Sequence, residues 1–400
     1  TIPAIGLRAF SKKITTLISL VCSNIESIYG TDLFLIAECF PLLEELDLSN
    51  PGEFANHVNF LDGLDALSLA LFKLRKINLS GHCYVNDSSL LHLCKNCEFL
   101  EQVMMMNCSL LTHHGIAYAI RERRQTLRSL SIRWRSYGSN DIISSHFVDS
   151  LANLKGLTSL DLSSSRISDK LLTSIAMRGL PLRKLVLQNC TGYSYVGIFS
   201  LLSKCQGIQH LDLQKAEFLN DHHVVKLSLF LGGLMSINLS DSGNLTNLAL
   251  CALVGNCSSL SEIRMEYTTI GKETVENSNS LMDFVVQGMN FEVPQLKVLN
   301  LSYTSIDDKT LYVISKSCCG LLQLLLESCK NVTKNGVEHV VENCTQLREI
   351  NLGYCNNINF VNIVDMVFLR PSLRKITLPP HYRLSDEDKE LLSRHGCLVG

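Results

Sequence analysis

The sequence predicts a right-handed α/β solenoid in which parallel strands and helices alternate along one repeat. Three observations carry this: a recurring L-x-x-L-x-L segment, a near-constant spacing between its copies, and a small or thiol side chain at fixed offsets from each copy. The segments start at Leu17, Leu43, Leu74, Leu100, Leu127, Leu157, Leu182, Ile208, Leu234, Leu260, Leu296, Leu321, Leu347 and Leu373. Most successive starts lie 25 to 27 residues apart, while three intervals stretch to 31 from Leu43, 30 from Leu127 and 36 from Leu260. The template therefore counts about fourteen units.

Each unit reads as strand, turn, helix and return. In Leu296-Lys297-Val298-Leu299-Asn300-Leu301, alternation at period two sends Leu299 and Leu301 inward and leaves Val298, Asn300 and Ser302 on the open face. Eight residues after the first leucine the side chain is small, as at Cys108, Ser165, Cys190, Ala216, Ser242, Thr268, Thr304, Cys329 and Cys355. The turn beneath the strand has no room for more. Helix starts follow at Ser168-Asp169, Asn220-Asp221, Asp307-Asp308 and Ser385-Asp386, because these side chains accept hydrogen bonds from first-turn amides and the acids suit the positive end of the helix dipole. Apolar helix faces are expected at Leu311, Ile314 and Ser315 and at Val337, Val340 and Val341. A second thiol column closes the unit at Cys97, Cys205, Cys257, Cys318 and Cys344.

No unit buries its own leucines, so neighbours must stack, each buried aliphatic side chain contributing roughly 1.5–3 kcal/mol. This is the leucine-rich-repeat horseshoe, with parallel strands on the concave side and helices on the convex side. Residues 1–16 read as an N-terminal remnant or cap. Residues 17–400 read as a single leucine-rich-repeat domain with longer repeats at 43–73, 127–156 and 260–295.

Composition narrows the function. Hydrophobic residues make up 46% and charged residues 18%, which fits a long continuous core rather than disorder. A net charge of −2 gives no whole-chain attraction for nucleic acid. No apolar run reaches the roughly 18 residues that a membrane span needs, and Thr1 to Phe10 lacks a signal-peptide design. A protein of the nucleus or cytoplasm, with no cofactor, is expected. No G-x-S-x-G, Walker loop or H-E-x-x-H occurs, and paired acids such as Asp307-Asp308 are helix starts, so the chain reads as a non-enzyme.

The pairing of a post-strand with a pre-strand cysteine, from Leu321 to Cys344 and again from Leu347 to Cys355, resembles the cysteine-containing leucine-rich repeat of the F-box/leucine-rich-repeat family, with the texture of plant members. Ala37-Glu38-Cys39-Phe40-Pro41-Leu42-Leu43-Glu44-Glu45-Leu46-Asp47-Leu48 carries the same resemblance, which covers Leu17 to the end. It implies a substrate-recognition subunit of an SCF-type ubiquitin ligase that holds a target protein on its concave face. A Skp-type adaptor and cullin would be engaged through an F-box, which is not visible here; the start at Thr1 rather than Met leads us to expect it upstream. Two other readings stay open: an intracellular scaffold or inhibitor resembling ribonuclease-inhibitor-like proteins, and a hormone-type sensor that closes a long repeat over a small molecule.

Two groups stand out as partner-binding candidates. Arg121, Arg123, Arg124, Arg128, Arg133 and Arg135 cluster around Trp134, the only tryptophan, and both residue types supply disproportionate energy at interfaces. Arg133, Trp134 and Arg135 are placed at the rim, whereas the convex-side arginines read equally well as solvated helix-end charges. In the second group Glu262, Arg264 and Glu266 alternate along one strand and Tyr267 follows; these charges could also simply pair with one another. The extra residues of this longest repeat fall between Gly271 and Pro294, with Phe284 and Phe291 among them, and either shape a binding site or lengthen a helix from Ser280 to Gly288. Cys94-Lys95-Asn96-Cys97 and Cys318-Cys319 have the look of metal or disulfide pairs, but their register makes them buried free thiols. His113-His114 and His222-His223 fall at helix starts and read as caps.

Overall fold

The computed structural model describes residues 2–52, 59–133, 143–272, 295–358, 363–380 and 382–399. The chain packs as two compact units, Thr1–Cys205 and Gln206–Gly400. In each, a layer of parallel strands is backed by helices.

The first unit runs α1 (Ala4–Ser11), β1 (Ser19–Val21), α2 (Gly30–Cys39), β2 (Glu45–Asp47), α3 (Phe60–Ala70), β3 (Lys76–Asn78), α4 (Asp87–Asn96), β4 (Gln102–Met105), α5 (His113–Glu122), β5 (Ser129–Ile132), α6 (Ser145–Ala152), β6 (Ser159–Asp161), α7 (Asp169–Arg178), β7 (Lys184–Val186) and α8 (Tyr195–Lys204). The second runs β8 (His210–Asp212), α9 (Asp221–Ser228), β9 (Ser236–Asn238), α10 (Asn247–Asn256), β10 (Glu262–Arg264), β11 (Val298–Asn300), α11 (Asp308–Ser317), β12 (Gln323–Leu325), α12 (Lys334–Asn343), β13 (Glu349–Asn351), α13 (Ile363–Leu369), β14 (Lys375–Thr377), α14 (Asp386–Arg394) and β15 (Leu398–Val399). Within each unit the strands lie in sequence order, each parallel to the next. This is the leucine-rich-repeat fold.

Register is set by the leucine template. Leu46 pairs Ile77 and Ile77 pairs Val103 in the first unit; Leu299 pairs Leu324 and Leu324 pairs Ile350 in the second. Every one of these side chains is buried. A slip of one residue would turn them all to solvent. The helices start where the capping residues place them: Ser168, Asn220, Asp307 and Ser385 accept from the amides of Leu171, His223, Thr310 and Asp388.

Two polar devices join one repeat to the next. In the first, an aspartate in the first turn of one helix accepts two hydrogen bonds from the N-cap residue of the following helix. Asp87 takes the Thr112 amide and hydroxyl at 2.8 and 2.6 Å, and Asp169 takes those of Ser194 at 2.7 and 2.7 Å. Asp221 does the same with Thr246 at 2.8 and 2.6 Å, and Asp308 with Thr333 at 2.8 and 2.5 Å. Three residues beyond the cap, Gly115, Gly197 and Gly336 leave room for the carboxylate, since a Cβ there would lie 1.9, 2.3 and 2.3 Å from it. The fourth repeat carries Ala249 at this offset.

The second device explains the thiols. Post-strand Cys108, Cys190, Cys329 and Cys355 donate to the carbonyls of Leu79, Leu162, Leu301 and Leu326 in the preceding repeat, at 3.3, 3.0, 3.2 and 2.9 Å. Pre-strand Cys97, Cys257 and Cys344 reach the carbonyls of Ser68, Ser228 and Ser315, while Asn96, Asn256 and Asn343 hold the same serines by their hydroxyls at 2.8, 2.9 and 3.2 Å. All sixteen cysteines are free and eleven are buried. Burial pushes Cys94, Cys97, Cys318 and Cys344 up to about 12.

One expectation is corrected. Asn300 and Ser302, placed on the open face by alternation, are each 4% exposed. The Asn300 amide donates to the Glu266 carboxylate, and the Ser302 hydroxyl accepts the Glu327 amide at 3.1 Å. They point to the strand face but are covered by their neighbours' polar groups. His82, at the small-residue offset of its repeat, is fully buried against Phe60 with ring centroids 4.8 Å apart. Its Nε2 donates to the Leu48 carbonyl at 2.7 Å, which leaves Nδ1 to accept from the Tyr84 hydroxyl at 2.8 Å.

Removing the shared carboxylate should cost a repeat contact without emptying the core. Asp169→Ala is expected to lower unfolding free energy by about 2 kcal/mol and Asp169→Asn by about half of that, measured by urea denaturation; no change would dismiss the clamp. A second expectation concerns acid. Burial lowers the His82 pKa, so the unfolded chain binds the proton first and stability drops as pH falls through about 6.5. His82→Gln should flatten the dependence between about pH 7 and 5 relative to the parent chain.

Candidate partner-binding rim

The strand face is lined by a polar ladder that holds itself in place. Asn78 donates to Asp47 and Asn238 to Asp212, both at 3.0 Å, and Asn351 donates to Glu327 at 3.3 Å. These groups are spent on one another. A second column of side chains lies two or three residues past the strands.

At twelve described positions seven residues after a first leucine, the backbone is left-handed. Asn24, Asn50, Gly81, Asn107, Ser164 and Asn189 occupy this column in the first unit, and Lys215, Asp241, Tyr267, Tyr303, Ser328 and Tyr354 in the second, with φ between 52° and 88°. At most of these positions the amide still bonds to the next repeat, as from Tyr303 to the Glu327 carbonyl at 2.7 Å and from Ser328 to the Gly353 carbonyl at 2.7 Å. The sheet ladder thus pins the conformation whatever the side chain. Glycine and asparagine tolerate it; a bulky residue pays roughly 1–2 kcal/mol.

Three tyrosines nevertheless sit there. Tyr267, Tyr303 and Tyr354 are 52%, 39% and 55% exposed. The rings of Tyr267 and Tyr303 stack at 4.2 Å and 11°. The Tyr303 hydroxyl donates to Glu327 at 2.7 Å, and this bond, more than any other influence, pushes the phenol up to about 12. Stacked aromatic faces beside the carboxylates of Glu266 and Glu327 suit a cationic side chain, with each cation–π contact contributing about 0.5–2 kcal/mol.

Four of the residues singled out in the sequence fall here. Glu262 and Arg264 lie on β10 and pair with each other, Arg264 Nε donating to the carboxylate at 2.7 Å, so they are largely self-neutralised. Glu266 is anchored by Asn300, and Tyr267 opens the stack. Tyr303, Tyr354 and Glu327 were missed, although Tyr303 and Tyr354 share the offset of Tyr267 from their leucines. The first group divides. Arg133 follows β5, exposed, and donates to the column residue Asn107 at 3.4 Å. Trp134, which keeps the column offset from Leu127, and Arg135 lie outside the described residues, as do Phe284, Phe291, Pro294 and the span 280–288. Arg123 is occupied by the carbonyls of Cys94 and Lys95. Among the described residues no group of three His, Cys, Asp or Glu side chains could hold a metal, and no helix is long and apolar enough to cross a membrane.

If the column strains its tyrosines, Tyr354→Asn, which installs the commonest alternative residue, should raise unfolding free energy by about 0.5–1 kcal/mol. A value equal to or below that of the parent chain in urea denaturation would remove the strain.

No family model matches the chain. It is 24% identical over 209 residues to F-box/LRR-repeat protein 4 of Bos taurus, a match taking in 50% of this chain and 32% of that protein. The chain thus spans about a third of that curated relative's length. Among solved structures, one from the yeast Rad7 and Elc1 complex matches 100% of this chain and 88% of its own, with a TM-score of 0.56 at 15% identity. An internalin from Listeria monocytogenes covers 95% of each chain with a TM-score of 0.48 and 15% identity. The Rad7–Elc1 likeness supports the leucine-rich-repeat fold.

Proposed function

We propose that this chain is a non-catalytic recognition module that holds a partner protein on its strand face and tyrosine rim. The observation that carries the reading is the retention of three exposed tyrosines in left-handed backbone, where asparagine or glycine would fold at lower cost. Strain kept at exposed aromatic side chains is a mark of binding surfaces. The neighbouring carboxylates favour a partner segment that presents lysine or arginine.

In the full-length protein we assign this module to substrate recognition in an SCF-type ubiquitin ligase, with Skp-type adaptor and cullin engaged through an F-box. Support comes from the cysteine columns and from the similarity to a protein named for its F-box and leucine-rich repeats. The yeast chain of similar fold was solved in complex with Elc1, which fits a protein-binding role for such a solenoid. Sixteen free thiols suit a reducing compartment, nucleus or cytoplasm.

The test is co-purification of full-length protein with purified Skp-type adaptor and cullin, followed by identification of the captured target. The adaptor should be retained by the parent and by a Tyr267→Ala/Tyr303→Ala double variant alike, while target retention falls about tenfold in the variant. Target capture without adaptor would leave a scaffold. Equal target capture by both proteins would remove the tyrosine rim as the site.

A further inference from the structure

We infer that a cavity in the first unit, set between the helix-to-strand turns of two successive repeats, binds a phosphate group carried on a partner chain. The cavity has a volume of about 640 Å³ and faces solvent at the ends of α5 and α6. Arg121 and Arg124 approach it from the end of α5, Arg128 from the start of the following strand segment, and Lys155 from the turn after α6. No carboxylate lines it.

Several cations elsewhere in the chain are instead neutralised or spent on backbone carbonyls. Arg75 lies between Glu44 and Glu101 at 3.4 and 2.5 Å, and Lys375 pairs with Glu349 at 2.7 Å. Arg123 and Arg370 cap helix ends of the preceding repeats through backbone carbonyls. Among the described residues Arg121, Arg124, Arg128 and Lys155 make no ion pair. A helix C-terminus draws a cation, but its field fades within one turn and does not call for four around one cavity.

Arg128 is also held in position. Its Nη1 donates to the Gly156 carbonyl at 3.3 Å, and a Cβ on Gly156 would lie 1.9 Å from that nitrogen. The absence of a side chain at residue 156 is what lets the guanidinium lie across the cavity wall. Planar guanidinium forks match the oxygens of a phosphate ester, whose charge near −2 answers this cluster better than the single charge of a carboxylate. All four cations are exposed, so the molecule bearing the phosphate can stay outside while the phosphate enters. The tyrosine rim takes no part, and either reading can fail without the other.

The test uses the full chain and a fluorescent Ala-Ala-phosphoserine-Ala-Ala peptide, its unphosphorylated twin, and sodium phosphate and a single-stranded oligonucleotide as competitors. The phosphopeptide should bind at least about tenfold tighter than its twin and be displaced by phosphate; Arg124→Glu and Lys155→Glu should each weaken it about tenfold. Gly156→Ala should weaken it about two- to fivefold by pushing the Arg128 guanidinium aside, with thermal unfolding unchanged because only the tip of a flexible side chain must move. Equal binding of both peptides, or charge reversal without effect, overturns the site. Phosphate that binds where the phosphopeptide does not would overturn the partner chain as its carrier. An oligonucleotide that outcompetes the phosphopeptide would overturn the phosphoprotein reading in favour of nucleic acid.

Discussion

A repeat of this length can bury its leucines only against a copy of itself, so the join between successive repeats is the constraint on which the rest depends. Apolar packing fixes which strand face is buried, but being non-directional it fixes the start of each helix less closely. The shared aspartate removes that freedom. Asp169, by taking both the amide and the hydroxyl of Ser194, fixes the start of one helix relative to the next. The thiol columns do the same at the strand side, tying Cys190 to Leu162 and Cys329 to Leu301. With helices and strands both indexed, the side chains beyond the strand recur at one offset from each leucine.

Cysteine suits these columns for a reason that neither alanine nor serine meets alone. A buried serine hydroxyl left without a partner would carry a desolvation cost of about 1–3 kcal/mol, whereas a thiol at 3 to 4 Å from a carbonyl gives up little when its hydrogen bond is long. The distances observed, from 2.9 Å at Cys355 to 4.0 Å at Cys257, span that tolerance. Raised pKa values then follow from the same burial, and they keep the columns chemically quiet.

How much of this was legible in the sequence depends on whether a residue answers to its own unit or to the next. Helix starts at Ser168, Asn220, Asp307 and Ser385 were readable because capping is local chemistry. The strand register was readable because leucine spacing repeats. Asn300 was misplaced because alternation gives the direction of a side chain and not what lies over it; Glu266, thirty-four residues earlier, covers it. His82 went unnoticed at an offset where other repeats carry small residues such as Cys108 and Ser165, since only the structure reveals Phe60 and Tyr84 closing around it. Within the candidate rim, Tyr267 was found through the charges before it, while Tyr303 and Tyr354 needed the left-handed column to give their shared offset a meaning.

That column also separates stability from recognition within the repeat. At most positions its backbone conformation is held by a sheet hydrogen bond that any residue but proline can make, so the fold does not choose the side chain. Asparagine and aspartate reduce the cost, as at Asn50, Asn107 and Asp241, and glycine abolishes it at Gly81. A tyrosine there gains little from the core to offset its strain, being half exposed at Tyr267 and Tyr354. Stacking between Tyr267 and Tyr303 returns part of it, about 0.5–1.5 kcal/mol for such a pair. Tyr354 stands one repeat beyond Ser328, too far along the column to join that stack. Its strain is therefore not offset by that ring stack.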